Sequence, residues 1–425
     1  MTRSREIGKS VGLQEAAQLL GVTPQDVFTW EKKQLIKSYL DRNRNRVFNL
    51  EELEEFDRMR RGDRTENRYR ILQAENQTNF TAIELFAGAG GLALGFENAG
   101  IQHKLLVECD RTCVETLNNN RPNWQVIGDD VAKIDFLEFR HQVDIVSGGF
   151  PCQAFSHAGF RRGLEDARGT LFFEFARCVS QVQPKIAIAE NVKGLLTHQK
   201  GETLQIMLEI LANLGYQAEY RVVRAQFFDV PQKRERLFII ATRKDLNLTP
   251  IFSVEKPYTI SLREALENCP DAPGIQYNDR KRQVMELVPP GGNWRDLPVE
   301  VQKDYMKNSY YRGGGRTGFA KRLAWDEPAL TLTCSPAQTQ TERCHPEETR
   351  PLTVREYARI QTFPDRWKFA GNLSAQYKQI GNAIPVNLAY HIGQSVVATL
   401  RRETPKLLQV PESQERQLSI PGLEI

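Results

Sequence analysis

The residues best placed to do chemistry begin with Cys152. It lies in the run Asp144-Ile-Val-Ser-Gly-Gly-Phe-Pro151-Cys152-Gln153-Ala-Phe-Ser156, where a short apolar stretch gives way to glycines, a proline and a thiol. A strand that ends in such a corner presents its last residues at the carboxyl edge of a parallel sheet, where open α/β sheets hold their active sites. A free thiol is only slightly ionised at neutral pH yet is strongly nucleophilic, so the position suits covalent catalysis, whereas a structural cysteine would sit inside the strand. Two further runs end in polar groups. Ile186-Ala-Ile-Ala-Glu190-Asn191-Val192 closes on an acid and an amide, and Gln232-Lys-Arg234-Glu-Arg236 precedes another apolar segment. A carboxyl group for a ring nitrogen and a guanidinium for a carbonyl, beside a thiol, suit a heteroaromatic substrate. Upstream, Phe86-Ala-Gly88-Ala-Gly90-Gly91-Leu92-Ala93 carries the glycines that let a backbone approach a ligand at a helix N-terminus. It satisfies the relaxed G-x-G-x-x-A pattern, and Glu108 lies 18 residues beyond Gly90, where an acid grips a ribose. These features predict a nucleoside-containing cofactor and leave NAD and S-adenosylmethionine both open.

Those residues need a sheet to hold them. Short apolar runs at 83–86, 104–108, 143–146, 186–189 and 237–241 alternate with helical patterns at 92–98, 111–119, 170–182 and 203–214. That alternation predicts an α/β fold with a mostly parallel sheet and helices on both faces, spanning residues 80–243. From 244 to about 350 the rhythm is lost, and Pro289-Pro-Gly-Gly and Gly313-Gly-Gly mark a separate, loop-rich domain. Helical pattern returns at 352–361 and 386–400 within a C-terminal segment, 351–400, and a polar tail of 401–425 follows. The first 75 residues read differently. Apolar positions 13, 16, 17 and 20 predict a helix from Val11 that Gly21 ends, and Thr23-Pro24 starts a second that packs Val27, Phe28 and Trp30. Residues 38–40 and 46–48 form a small wing hairpin, and Asn49 with Glu52 caps a helix at 50–61. The pattern is that of a winged helix-turn-helix, with a small helical packing module as the alternative. Residues 61–79 read as a linker.

The bulk composition of the 425 residues is that of an ordinary globular protein: 40% hydrophobic, 26% charged and a formal net charge of +4. No apolar run approaches the roughly 18 residues that span a bilayer, and the first residues lack a signal-peptide core, so a cytoplasmic protein with no membrane partner is expected. The seven cysteines form no C-x-x-C pair, which argues against a zinc site or a disulfide framework and predicts no bound metal.

From about residue 81 to 400 the chain resembles the bacterial cytosine-5 DNA methyltransferases of restriction-modification systems, with motifs in that family's order and spacing. The resemblance implies a Rossmann-like, S-adenosylmethionine-dependent fold in which residues 244–350 carry target recognition. It makes Phe86, Gly88, Gly90, Gly91 and Leu92 the cofactor loop, and Glu108 the ribose acid with Cys109 beside it. It places Asp130 and Val131 of Gly128-Asp-Asp130-Val131 at the adenine; Asp130 is preferred to Asp129 because an apolar residue follows it. Pro151 borders the cofactor, Cys152 is the nucleophile, and Glu190, Arg234 and Arg236 complete the catalytic set. Asn382 and Ala383 of Gly381-Asn382-Ala383-Ile-Pro return to the cofactor pocket, and Arg350-Pro-Leu-Thr-Val-Arg-Glu matches the motif before it. The implied mechanism adds the Cys152 thiolate to C6 of a cytosine while Glu190 protonates N3 and Arg236 holds O2. C5 then takes the methyl group, and loss of the C5 proton expels the cysteine. Because C6 is inaccessible inside a duplex, the base must be flipped out. Gln153 and Ser156 lie on a loop, 153–168, suited to close over it. The N-terminal module resembles MerR-type and excisionase-type regulators, which implies binding to the gene's own promoter.

Between Tyr277 and Arg322 stand ten Lys and Arg against five Asp and Glu, so this stretch carries +5 and the remainder of the chain −1. The excess predicts a double-stranded DNA footprint, with Arg312 and Arg316 around a triple glycine as candidate guanine readers and phosphate contacts or solvated charges as the alternative. Ala329-Leu-Thr331-Leu-Thr333 resembles the family segment whose threonine seats the target base, which implies that role for Thr331. The phrasing around Val288-Pro-Pro-Gly-Gly-Asn-Trp resembles members that act on short G+C-rich palindromes of the CCGG kind. A monomer is expected for methylation and a dimer for regulation. The alternatives are a tRNA cytosine-5 methyltransferase, a DNA-binding regulator without activity, and an NAD-dependent dehydrogenase, which would leave Pro151-Cys152-Gln153 without a role.

Overall fold

The computed structural model describes residues 10–32, 35–41, 44–60, 67–150, 171–311 and 317–403. They divide into two compact units: the described residues up to Arg68 with Val254–Thr259, and Tyr69–Ser253 with Ile260–Glu403.

In the smaller unit β1 (Ser10–Gly12) leads into α1 (Leu13–Leu20), and α2 (Pro24–Lys32) follows. Gly21 ends α1 in the left-handed region at φ 63°, its N–H returning to the carbonyls of Ala17 and Gln18. Thr23 starts α2 as its composition predicts: its hydroxyl accepts from the Asp26 N–H at 3.2 Å, and its own N–H donates to the Asp26 carboxylate at 3.0 Å. β2 (Tyr39–Leu40) and β3 (Arg46–Asn49) form the hairpin, and β1 adds to the other side of β3, both pairs antiparallel. The sequence places Val11 in a helix, but three residues before α1 are too few to display a strand's period of two. α3 (Leu50–Arg60) begins with Asn49 accepting from the Glu52 N–H at 3.2 Å, while the Glu52 carboxylate accepts from the Tyr39 hydroxyl at 2.6 Å. Ala16, Ala17, Leu20, Val27, Ile36, Phe48 and Leu53 make the core. Phe28, expected to pack, is 40% exposed and lies under the Arg46 guanidinium.

The larger unit is built on a seven-stranded sheet in the order β6-β5-β4-β7-β8-β11-β9. β4 (Thr81–Leu85), β5 (Gln102–Val107), β6 (Val126–Ile127), β7 (Ile145–Gly148) and β8 (Ile186–Val192) are parallel. The chain runs outward from β4 in both directions, so β4 and β7 border the switch point where such sheets open a crevice at their carboxyl ends. β9 (Tyr216–Arg224) and β11 (Glu235–Arg243) complete the sheet, and β11 runs antiparallel to both β8 and β9. The reversal has a local cause, because residues 225–234 hold a short 3-10 turn and a two-residue strand but no α-helix, too little for a parallel crossover. It brings the start of β11 to the same rim as the end of β8. One face is covered by α6 (Leu171–Val182) and α7 (Glu202–Asn213) through Phe172, Phe175, Val179, Met207 and Ile210. The other is covered by α4 (Gly91–Asn98) and α14 (Val386–Leu400) through Phe96, Leu388, Ile392 and Val396. α5 (Arg111–Asn120) follows β5, with Asp110 as its N-cap.

Residues 67–79 take no regular form, yet this expected linker is fastened down. Ala74 and Thr78 donate to the carbonyls of Asn98 and Gly100, and the Asn387 side chain bridges the Leu72 N–H and the Arg70 carbonyl. Past β11 comes α8 (Leu262–Leu266), which buries Leu262 and Leu266 in a cluster with Tyr357 and Ile360, and then α9 (Asp279–Glu286), α10 (Val299–Met306) and α11 (Asn308–Tyr311), around a core of Val284, Met285, Trp294, Leu297 and Met306. A parallel pairing of β10 (Gln232–Lys233) with β12 (Ala329–Leu330) ties this stretch to the sheet. Arg350-Pro-Leu-Thr-Val-Arg-Glu begins α12 (Val354–Ile360): Thr353 and Glu356 form a capping box, and the Glu356 carboxylate accepts two Arg350 N–H bonds at 2.8 Å. α13 (Leu373–Asn382), which the sequence reading does not contain, carries Gly381 and Asn382 at its end.

Candidate active site

Glu190 ends β8, and Arg236 projects beside it from the start of β11, where Arg236 pairs in register with Val192 and Phe238 with Glu190. The Arg236 Nε stands 3.0 Å from Glu190 Oε1, with the side chains only 14% and 11% exposed. Burial raises the Glu190 carboxyl above the usual carboxylate range, and the Arg236 and Arg234 guanidiniums pull the other way. The result is a carboxyl group at the sheet rim that holds a proton more readily than an exposed one. Burial likewise pushes Arg236 down, with Glu190 opposing.

The chain arrives at this pair from β7. A side chain on Gly149 would place its Cβ 3.1 Å from Glu190 Oε2, so the glycine lets the backbone run past the carboxyl group. One residue on, the buried Asn191 amide donates to the Phe150 carbonyl at 3.0 Å, and the Phe150 ring is wedged against Phe86, Phe172 and Phe175. The entry to the Cys152 loop is therefore held at both backbone and side chain. Pro151, Cys152, Gln153 and Ser156 lie outside the described residues, as do Arg312 and Arg316.

At the neighbouring strand ends the glycine loop turns through Phe86 (φ 59°), Gly88 (φ 55°) and Gly90 (φ 83°) into the N-terminus of α4. Glu108, 9% exposed, accepts from the Gly88 N–H at 2.8 Å and from the Asp110 N–H at 2.7 Å. A carboxylate offers about four lone-pair positions, so two are left for ligand hydroxyls. A Cβ on Gly88 would meet nothing within 4 Å, which leaves open space beside the loop backbone. A Cβ on Gly91 would come within 2.2 Å of the Ile384 carbonyl, so the loop closes onto the segment after α13. These features fit the nucleoside cofactor that the sequence predicts, with α4 offering its free amides to a carboxylate.

Leu92 and Val131 are both buried, in the clusters on opposite faces of the sheet. Cys109 is exposed beside Glu108. Asp130 is exposed and caps the 3-10 turn Val131–Lys133, while Asp129 is bound to Lys133 at 2.7 Å. Asn382 accepts from the Cys334 thiol at 3.1 Å, and Ala383 abuts Gly91.

Arg234 and Thr331 take up backbone positions. Arg234 is 2% exposed and donates to the carbonyls of Leu332 (3.3 Å) and Gly381 (3.2 Å). The Thr331 hydroxyl donates to the Lys233 carbonyl at 2.7 Å. Sequence reasoning missed the partners that complete this clasp. Gln232 accepts from the Leu332 N–H and donates to Gln361, whose amide donates to the carbonyls of Ile380 and Ala383. Arg343 holds the Thr331 carbonyl at 3.1 Å through Nε. Gln232 lies in a stretch already singled out, but Gln361 and Arg343 carry no local pattern that marks them.

The charge excess at 277–322 is partly structural. Arg322, 3% exposed, donates to the carbonyls of Val288, Met285, His345, Glu347 and Glu348 and to the Thr349 hydroxyl. Lys281 is paired with the buried Glu342, Arg280 with Asp304, and Lys303 with Glu300. Among the described residues, Arg282, Arg295 and Lys307 remain exposed and outside any ion pair.

The family model for C-5 cytosine-specific DNA methylases matches residues 80–398. The Type II methyltransferase M.Eco47II of Escherichia coli is 50% identical over 399 residues, covering 91% of this chain and 95% of that protein. The Type II methyltransferase M.PspPI of a Psychrobacter strain is 48% identical over 398 residues, 90% of this chain and 95% of its own length. Among solved structures, a DNMT2 variant from Spodoptera frugiperda superimposes with a TM-score of 0.54 at 15% identity, over 75% of this chain and all of that one.

Proposed function

The chain belongs to the C-5 cytosine-specific DNA methylase family and is a DNA cytosine-5 methyltransferase of the Type II restriction-modification kind, and from that premise we propose how its residues act. The donor is S-adenosylmethionine, which supplies an electrophilic methyl group when bound. When bound it would be held by Glu108 and the amides of Gly88 to Gly91, with Asp130 available to its adenine and the end of α13 at Asn382 and Ala383 bordering the pocket. Cys152 adds as a thiolate to C6 of a cytosine flipped from the duplex. Glu190 delivers a proton to N3 as the C6–S bond forms, and Arg236 holds the O2 carbonyl and keeps the Glu190 carboxyl oriented. Once C5 carries the methyl group, loss of the C5 proton re-forms the C5–C6 double bond and expels the Cys152 thiolate, and the N3 proton returns to Glu190. Without the addition step C5 of cytosine is a poor nucleophile. Methylation of the target protects host DNA from a cognate endonuclease.

The observation that carries this reading is the nearly buried Glu190–Arg236 pair, with the backbone at Gly149, three residues before Cys152 in the sequence, passing close to the carboxyl group. An acid whose pKa is raised by burial is what protonation of a ring nitrogen near neutral pH requires. Arg234 supports the site through the backbone of Leu332 and Gly381 rather than by touching substrate. Transfer of labelled methyl groups from S-adenosylmethionine to plasmid DNA tests the proposal. Wild type incorporates label, and Cys152→Ala and Glu190→Gln do not; equal incorporation by Cys152→Ala ends the covalent route. Bisulfite sequencing of the plasmid locates the target.

We also propose that the N-terminal unit binds DNA at its own promoter. The reading rests on α1, the Gly21 turn, α2 and the β2–β3 hairpin with Arg44 and Arg46 exposed beside it. A gel shift of the whole protein on the upstream promoter, lacking the methylation target, is expected to give a specific complex that Arg44→Glu removes. A complex unchanged by that substitution rejects the role.

A further inference from the structure

Trp294, 6% exposed in the core of the 277–345 stretch, starts a run of aromatic rings that ends in solvent. Its ring meets Tyr310 edge-on at 6.3 Å and 77°, and Tyr310 meets Tyr311 at 5.4 Å and 83°. Tyr311 is 74% exposed. A ring of this size gains most when both faces are covered, and in water it forgoes that burial. The backbone that delivers it is also unusual: Lys307 ends α10 at φ 49°, ψ −131°, a conformation that a residue with a Cβ rarely adopts and that concentrates at functional sites. The carbonyl of Lys307 then accepts from the Tyr310 N–H, turning the chain into α11.

Charge points to the occupant. The Arg295 guanidinium lies 5.4 Å from the Trp294 ring, at the root of the ladder, and Lys307 stands one helical turn before Tyr311 at its tip. Both are exposed, whereas the nearby anions Glu300 and Asp304 are taken by Lys303 and Arg280. An exposed aromatic ring on a stretch that also carries two exposed cations outside any ion pair fits a nucleic acid, since an unstacked base offers a π-face and every nucleotide a phosphate. We propose that Tyr311 stacks on a base of the DNA substrate left unstacked when the target cytosine is flipped out, backed by Tyr310 and Trp294, with Arg295 and Lys307 on flanking phosphates. This rests on duplex DNA as substrate and adds a residue that positions it.

Because Tyr311 is exposed, its truncation should leave the fold intact. Steady-state methylation of a target duplex by wild type, Tyr311→Ala and Tyr311→Phe is the test, with the wild-type rate as the control for the activity itself. Loss of one stacked base is expected to raise KM for DNA about tenfold in Tyr311→Ala, with KM for S-adenosylmethionine unchanged and Tyr311→Phe within about twofold of wild type. A duplex carrying 2-aminopurine next to the target should show altered fluorescence with wild type and Tyr311→Phe but not with Tyr311→Ala. Equal KM for DNA in all three forms overturns the proposal, as does an equal loss in Phe and Ala, which would assign the contact to the hydroxyl. A fall in Tm with Tyr311→Ala also overturns it, by making the ring a packing residue.

Discussion

Glu190 is a carboxyl group that burial makes basic and a neighbouring arginine restrains, and both effects can be read out separately. Replacing it with Gln keeps the shape and removes the proton, so kcat should fall about 10²–10⁴-fold while S-adenosylmethionine binding, followed by calorimetry, is retained. Since the protonated form is the working one, kcat/KM should decline on the alkaline side as pH passes through the raised pKa. Arg236→Ala removes a cation that lowers that pKa, so the alkaline limb of its residual activity should move to higher pH; a limb that moves down contradicts the assignment. Glu190 and Arg236 were legible because each borders an apolar run, the first at its end and the second at its start; Cys152 shows the same kind of pattern and lies outside the described residues. Arg234 and Thr331 matched a pattern just as well, but the fold spends their polar atoms on backbone carbonyls. Gln361 and Asn387 were invisible because the groups they join are far away in the chain.

Among the elements, the strands around the switch point were legible from apolar runs bounded by glycines, whereas β9 was not. It is an edge strand whose residues alternate polar and apolar with charges throughout, the usual protection of an edge. α13 did leave a trace, with Leu373, Tyr377 and Ile380 at helical spacing after Asn372 as N-cap. Two predictions belong at this scale. Gly91→Ala would drive a Cβ into the Ile384 carbonyl, a backbone atom that cannot step aside, and should cost about 1–3 kcal/mol in a denaturant titration and weaken cofactor binding. In the helical stretch after β11, Arg322→Gln should lower Tm, because it abandons buried carbonyls, yet leave the salt dependence of DNA binding unchanged. Lys307→Gln should do the reverse, reducing the slope of log K against log salt by about one with no change in Tm.

At the scale of the whole molecule, a net charge of +4 conceals a division of labour that charge counting alone does not resolve. Of the cations that gave residues 277–322 their excess, several staple the protein to itself, and exposure rather than number marks the ones free to meet DNA. The sequence changes texture near residue 80, whereas the two compact units divide between Arg68 and Tyr69, and the assignment of Val254–Thr259 to the smaller one carried no signal, since six residues hold no periodic pattern. Among the described residues no helix is long and apolar enough to cross a membrane. The larger unit holds the candidate site in full view of its sheet, so S-adenosylhomocysteine at a hundred times its Kd should raise its stability by about 2.7 kcal/mol, and Glu108→Ala should abolish the shift in Tm. The covalent step is the centre of the account, and a duplex bearing 5-fluorocytosine at the methylated position tests it most directly. Fluorine at C5 cannot leave as a proton, so the enzyme and DNA should remain joined after methyl transfer and migrate together on a denaturing gel. The account predicts that complex for wild type in the presence of S-adenosylmethionine and none for Cys152→Ala; its absence from wild type, or its presence in the variant, would contradict it.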